Sequence, residues 1–307
     1  MRSTVLSVFT FKRPARPVRR HATLSAVAAT AFAVLGPVLG PAADADAAST
    51  ATVTCASPSV PIYHVDAIAQ LRRWSYANPL EITPGWAQQQ IGDGWGGLNV
   101  FSGGSGVLYA IDSSGNLNWY KDQNFGGGVQ SWDPASASTI GTGWGGFTSV
   151  FAGGQGDIYA IDSAGALHWY GYTGTNGVSS WAPNSGAVIG TGWNGLTTVF
   201  AGGQGIIYAI DAAGNIRWYR YSDPTSSTGT WSGGGTIGSG WNAFTQFGST
   251  GGGVIFTRDA SGNLWWYRDM DPLGGSSSWA NGGNGINEGT GWGPGQIVAD
   301  VNGCTAS

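Results

Sequence analysis

The sequence repeats itself at an interval close to 48 residues, and this periodicity restricts the fold more than any other feature. "GGQGDIYAIDSAGALHWYGY" at 153–172 returns as "GGQGIIYAIDAAGNIRWYRY" at 202–221. A Gly–Trp pair falls at Trp95, Trp144, Trp193, Trp241 and Trp292, with spacings of 49, 49, 48 and 51. An Asp closing "IYAID" stands at Asp112, Asp162 and Asp211, with looser copies at Asp66 and Asp259. Two further Trp series, Trp74/Trp119/Trp169/Trp218/Trp266 and Trp86/Trp132/Trp181/Trp231/Trp279, bring 15 of the 16 Trp into register and leave Trp265 over. Five units of one kind are present, and repeats of this length denote a solenoid or a propeller.

Each unit reads as short strands. "FTSVF" and "DIYAID" are rich in β-branched and aromatic residues and flank the turn "AGGQG". "ALHWYGY" follows across "DSAG" as a hairpin, and a short strand around "AVIG" runs into "GTGW" after a Gly/Ser/Asn-rich loop. Four strands per unit, five times over, predict an all-β chain folded as a five-bladed β-propeller. An open solenoid would need polar capping repeats at its ends, and none is legible. The ends instead suggest closure. The first unit begins at "VPIYHVD" without the strand that precedes "GGQG" elsewhere, and the chain finishes with "GWGPGQIVADVNGC", which supplies it. The C-terminal strand is expected to complete the first blade. Cys55 and Cys304, the two cysteines, then fall where the "GGQG" hairpin of that blade is missing, and they read as a disulfide. A loop this long is worth about 4–5 kcal/mol in the chain-entropy account.

The first 48 residues read as a secretory signal rather than as part of the ring. A basic stretch ends at Arg19 and Arg20, an Ala/Val/Leu run interrupted by Pro37 follows, and small residues at Ala43, Ala45 and Ala47 suit cleavage. The Arg pair leaves general secretory and twin-arginine export both open. Residues 49–307 are then one secreted propeller domain, an oxidising context that suits the disulfide. Beyond residue 48 only seven Lys and Arg face fifteen Asp and Glu, about −8 in formal charge. Nucleic acid is excluded as a partner because nothing would neutralise phosphates, an anionic membrane surface is disfavoured for the same reason, and membrane insertion is not expected.

A ring can host one axial site or one site per blade. Enzymes with an axial site need blades that diverge toward the centre, whereas here polar positions repeat with the apolar ones. The chain carries no "GxSxG", "HExxH" or Walker loop, and its two mature His, His64 and His168, have no repeated partner. The repeated Asp precede Ser, Ala or Gly and are read as turn caps rather than glycosidase acids. No catalytic residue, cofactor or metal is implied. Glu81, Glu288 and Asp157 break the repeat and are the candidates should an axial glycosidase exist. Of the Trp series, Trp169 and its equivalents are expected to pack between blades. The series Trp86, Trp132, Trp181, Trp231 and Trp279 stands beside variable Ser/Asn/Gly loops, where an aromatic face with hydrogen-bonding neighbours suits a sugar. The adjoining "GxGW" segments (Thr142, Gly143, Trp144; Thr191, Gly192, Trp193; Gly240, Trp241) could contribute polar contacts and blade packing.

Units of about 47–49 residues ending in "I-G-x-G-W", with a Trp some nine residues upstream and a "G-x-[IL]-Y-A-[IV]" strand downstream, resemble the tachylectin-2 type of lectin. The clearest copies are "SWAPNSGAVIGTGWNGLTTVFAGGQGIIYAI" and "SWDPASASTIGTGWGGFTSVFAGGQGDIYAI", and the resemblance runs from about Val60 to Val301. It implies a five-bladed propeller that binds N-acetylglucosamine or N-acetylgalactosamine between adjacent blades, with glycans as partners. The family pattern has Asp-Asn before the upstream Trp and an Arg after it. Here "SS" precedes Trp181 and "QS" precedes Trp132, and Asn184 or Ser185 would stand in for the Arg. A monomer is expected. A protein-binding scaffold remains the other non-enzymatic reading.

Overall fold

A computed structural model describes residues 51–81 and 85–307; the segment read as a secretory signal lies outside them. Five four-stranded sheets follow one another along the chain. The first blade is built from Gly295–Ala299, Ser59–Asp66, Leu71–Ala77 and Trp86–Gly92, in that order from the axis outward. The second runs from Asn99–Gly104 to Ser138–Gly141, the third from Ser149–Gly154 to Ala187–Gly190, and the fourth from Leu196–Gly203 to Trp231–Gly238. The fifth spans Phe244–Gly251 to Ile286–Gly289. The C-terminal strand pairs antiparallel with Ser59–Asp66, as the sequence led us to expect. The chain is a closed five-bladed β-propeller.

The burial pattern explains why single blades cannot stand alone. Third strands alternate with the pleat: Leu117 and Trp119 are buried while Asn118 and Tyr120 are only partly so. Second strands such as Asp157–Ile161 are buried at every position, because a neighbouring blade covers each face. Each of the five apolar clusters accordingly draws on two adjacent blades; one joins Tyr63, Leu71 and Ile91 of the first blade to Val100 and Leu108 of the second. The stabilising burial lies between repeats, so ring closure is part of folding rather than an addition to it.

Closure is carried by the last eight residues. The Asp300 carboxylate accepts the backbone N–H groups of Ser105 and Gly106 in the second blade, at 2.8 and 2.9 Å. Asn302 lies against the turns of the second and third blades, and Gln204 of the fourth exchanges two bonds with Ala306. The tail therefore crosses one end of the axial channel and touches the inner turn of every other blade. This gives the second Gly of "GGQG" its reason: at Gly104 and Gly154 φ is +87° and +95°, and a Cβ would overlap the Asn302 side chain.

The disulfide Cys55–Cys304 is present, with one contact the sequence did not suggest. It lies in a small ribbon, Val53–Cys55 against Cys304–Ala306, beyond the open end of the first blade's inner hairpin as expected, and that ribbon also attaches to the fifth blade through Gly251 and Cys304. The reason is the path of the tail, which must pass over the channel before it can return.

The repeated Asp are turn caps, as read. Oδ1 of Asp211 accepts the N–H groups of Ala213 and Asn215 at 3.0 Å, and the same pair of bonds recurs at Asp66, Asp112, Asp162 and Asp259. His168, without a repeated partner in the sequence reading, belongs to this pattern. It reaches Asp162 at 3.0 Å just as Arg72, Arg217 and the unassigned Trp265 reach their own Asp.

Two expectations follow. Replacing both cysteines by Ser should lower stability by roughly 2–5 kcal/mol, read as a lower denaturant midpoint. Hydrogen bonds from the Asn215 side chain and backbone hold the Asp211 carboxyl down at about 2. An acid held below its unfolded value stabilises fully above about pH 4 and loses that contribution as the pH falls toward 2. The melting temperature should fall over that interval, and Asp211→Asn should flatten the fall.

Candidate functional site

The sites expected between blades are built on a defect in each outer strand. Strand pairing skips one residue at Ile91, Ile140, Ile189, Ile237 and Glu288: Leu117 faces Gly141 and Asn118 faces Thr139, leaving Ile140 unpaired. The carbonyl freed by this bulge accepts the indole N–H of the next blade. Trp132 donates to Ile91 at 2.8 Å, Trp181 to Ile140 at 3.1 Å and Trp279 to Ile237 at 2.6 Å, with Trp231 on Ile189. Across the seam of the ring, Trp86 donates to Glu288 at 3.0 Å. The side chain two residues before the Trp joins the same carbonyl, from Gln130, Ser179 and Ser277. Those positions, where the sequence departs from the family's Asp-Asn, tie the loop to the neighbouring blade.

The rings form a three-sided cleft. Trp144 lies 5.7 Å from Trp181 and 4.7 Å from Tyr170, centroid to centroid. The arrangement recurs as Trp95/Tyr120/Trp132, Trp193/Tyr219/Trp231, Trp241/Tyr267/Trp279 and Trp292/Trp74/Trp86. The Gly–Trp indoles form the floor and are only 5–6% exposed. They are pinned there because Gly143, Gly192 and Gly240 take φ near +82° to +84°, and the Trp N–H returns to its own blade, as Trp144 does to Gly115. The upstream Trp and the Tyr form half-buried walls. Thr142, Gly143, Thr191, Gly192 and Gly240 are exposed at the rim.

Of the two substitutes for the family Arg, Asn184 is exposed at φ +64°. Ser185 is turned inward, its hydroxyl accepting the Gly171 N–H and donating to Ala182. The Tyr walls were missed in the sequence, although the recurring "WY" dipeptide signalled them. One register also needs correction. Tyr63 faces Arg73 as Tyr109 faces Trp119, so Arg73 occupies the Trp119 position and Trp74 the Tyr120 position. Arg73 is buried there because Asp122 of the next blade meets it at 2.8 Å, both side chains 2% exposed.

The symmetry-breaking carboxylates do not meet. The axial channel, about 650 Å³, is lined by Phe101, Phe151, Phe200, Gln246, Gln296 and other innermost-strand residues, and among the described residues no acidic side chain lines it. Glu81 is exposed on an outer loop. Glu288 is buried at the seam beside Tyr76, where burial raises its carboxyl. Asp157 stands between the third and fourth blades, and burial pushes it up to about 7, with Asp223 across the cleft adding to the rise.

A ring of five alike blades with an aromatic cleft at each junction defines a repeat β-propeller. The family profile described as Tachylectin matches residues 64–296, and the chain belongs to that family. No curated protein matches it. Among solved structures it is similar to the Aleuria aurantia lectin, described as a six-bladed β-propeller with a novel fucose recognition mode, at 16% identity over 78% of each chain and a TM-score of 0.38. It is also similar to the SapL1 lectin in complex with α-methyl fucoside (15% identity, 76% of this chain and 82% of that one, TM-score 0.36). A Trichoderma reesei carbohydrate-active enzyme of family AA12 matches at 16% identity, over 73% of this chain and 59% of its own, with a TM-score of 0.38.

The cleft makes a direct expectation. Trp181→Ala removes a wall and the bond to Ile140 and should cost roughly 2–4 kcal/mol. Trp181→Phe keeps a ring and leaves the Ser179 bond, and should cost about 1 kcal/mol. Urea denaturation of the two variants measures both.

Proposed function

We propose that this protein is a secreted, multivalent lectin that holds N-acetylhexosamine-type sugars at the clefts between blades and performs no catalysis. The observation that carries the reading is the fivefold recurrence of one cleft: a buried Trp floor, a Tyr or Trp wall, and a second Trp beside a polar loop. A pyranose presents C–H patches to such a wall while its hydroxyls meet side chains and backbone at the rim. In the third blade the rim offers Asn184, and the preceding connection offers Thr142 and Gly143. The corresponding connections elsewhere offer Thr191, Gly192 and Gly240.

Membership of the tachylectin family supports a carbohydrate ligand and sets N-acetylglucosamine or N-acetylgalactosamine as the first sugars to try. The disulfide and the basic–apolar start of the sequence support export. Shallow sites on a rigid ring bind single sugars weakly. Several of them engaging one repeated glycan gain roughly 10²–10⁴ in avidity, which makes polysaccharides and glycoconjugates the natural partners of a monomer.

The test is a glycan array probed with the labelled, oxidised protein. Retention on N-acetylhexosamine polymers, competed by the free monosaccharide, is expected. A blank array from folded protein would overturn the reading and turn attention to protein partners.

A further inference from the structure

A second repeated contact joins the third strand of each blade to the loop after the third strand of the next, and it fails at one junction. On the strand face opposite the aromatic clefts, the indole N–H groups of Trp169, Trp218 and Trp266 donate to the carbonyls of Pro224, Pro272 and Pro79 in the next blade, at 2.8, 2.9 and 3.0 Å. Arg73, at the same position, is closed off by Asp122. Trp119 is the exception: among the described residues no group accepts its N–H.

The cause is a deletion. Between the Trp and the residue it pairs with at the end of the third-strand ladder the interval is ten residues in four blades (76–86, 122–132, 221–231, 269–279) but nine in the third, from Tyr172 to Trp181. The shortened loop carries Gly174 and Thr175 in place of an Asp/Asn-Pro pair. It folds on itself, with the Tyr172 hydroxyl donating to Val178 and Thr173 bonded to Ser180. It makes no hydrogen bond to Trp119, which is nonetheless buried, and a cavity of about 450 Å³ remains between the second and third blades, with Asn302 of the closing tail also on its wall.

We propose that this cavity is a sixth ligand site, unlike the five repeated clefts, that takes one uncharged sugar ring. Its volume lies within the range of about 300–1,000 Å³ of small-molecule sites. Buried Trp119, Tyr109 and Tyr172 present ring edges to it, and Gln123, Asn176 and Asn302 supply amide groups suited to hydroxyls. Its two charged side chains, Lys121 and Asp133, are of opposite sign and leave the wall with no net charge. The Lys121 ammonium donates to the Ser105 carbonyl and lies 5.2 Å from the Phe125 ring, and Asp133 accepts the Ala135 N–H at 2.8 Å. A lining balanced in charge favours a neutral ligand over an ionic one. The choice of a sugar rests on the lectin reading above; the location of the site does not.

The experiment follows indole N–H signals of the ¹⁵N-labelled, oxidised protein during titration with the methyl glycosides of N-acetylglucosamine, N-acetylgalactosamine, galactose, glucose and fucose. The Trp119 signal is assigned by its loss in Trp119→Phe, which keeps the ring packing. At least one glycoside should move this signal saturably. Replacing residues 173–180 with the nine-residue sequence of 222–230, which restores a Pro-bearing loop, should abolish the movement while the cleft indoles respond as before. No movement with any glycoside up to its solubility limit, or movement that survives the graft, overturns the proposal. Movement at the cleft indoles alone overturns it and leaves the lectin reading standing; movement at Trp119 alone supports it and overturns the five-cleft reading.

Discussion

The ring depends on one hydrogen bond made five times, from an indole N–H to the carbonyl of a bulged residue in the blade before it. A regular outer strand would pair every backbone group within its own sheet or expose it to water. The bulge at Ile140 and its equivalents frees one acceptor per blade, and the next blade brings a Trp whose ring then stacks on the Gly–Trp floor. Burying an indole with its donor satisfied avoids the penalty of an unpaired polar group. The same ring shields the junction from water. Packing and a donor come from one side chain, and at three junctions a Gln or Ser two residues earlier gives the same carbonyl a second donor.

That economy constrains binding. A Trp whose N–H is committed to a neighbouring carbonyl has no donor left for a ligand and offers only its ring. On the lectin reading proposed above, preference among sugars would come from the loop rims, which vary between blades: Asn184 near Trp181, Asp133 beside Trp132, and Ser232 beside Trp231. The invariant part of the repeat sets how many clefts exist, and the variable part decides what each can hold. Five clefts need not be five equal sites.

The repeat number, the strand count and closure by the C-terminal strand were all legible in the sequence, because each rests on spacing and on residue types that the strand pleat demands. The turn role of the Asp was legible for the same reason, since an Asx turn is a local structure. What sequence missed was set by contacts between blades. The bulge at Ile140 has no compositional mark. Trp74 looked like a member of the Trp169 series because its spacing is off by a single position, and only the pairing of Tyr63 with Arg73 reveals the shift. The shortened third-blade loop was visible in the intervals, but its consequence needs the Pro carbonyls of the other junctions for comparison. The disulfide pairing could be read; its attachment to the fifth blade could not, because it follows from the path of the tail across the channel.

The seam between the fifth and first blades is where repetition is poorest, and the chemistry there explains why closure is reinforced. Elsewhere the strand position facing the cleft holds Ala or, in the fifth blade, Thr257, the wall holds Tyr and the bulge holds Ile; here they are His64, Trp74 and Glu288. Among the described residues the His64 Nε2 and Trp74 Nε1 atoms are buried without partners, and burial pulls the imidazole down while it pushes the Glu288 carboxyl up. Each such group weakens the interface it sits in. The seam is also the one junction that the chain does not cross by running from the outer strand of one blade directly into the inner strand of the next across that cleft and onward through the same blade. Its first blade is assembled from both ends of the domain. A cross-link from Cys55 to Cys304, with a tail held by all the other blades, acts on this junction and compensates for packing that the repeat supplies at the other four.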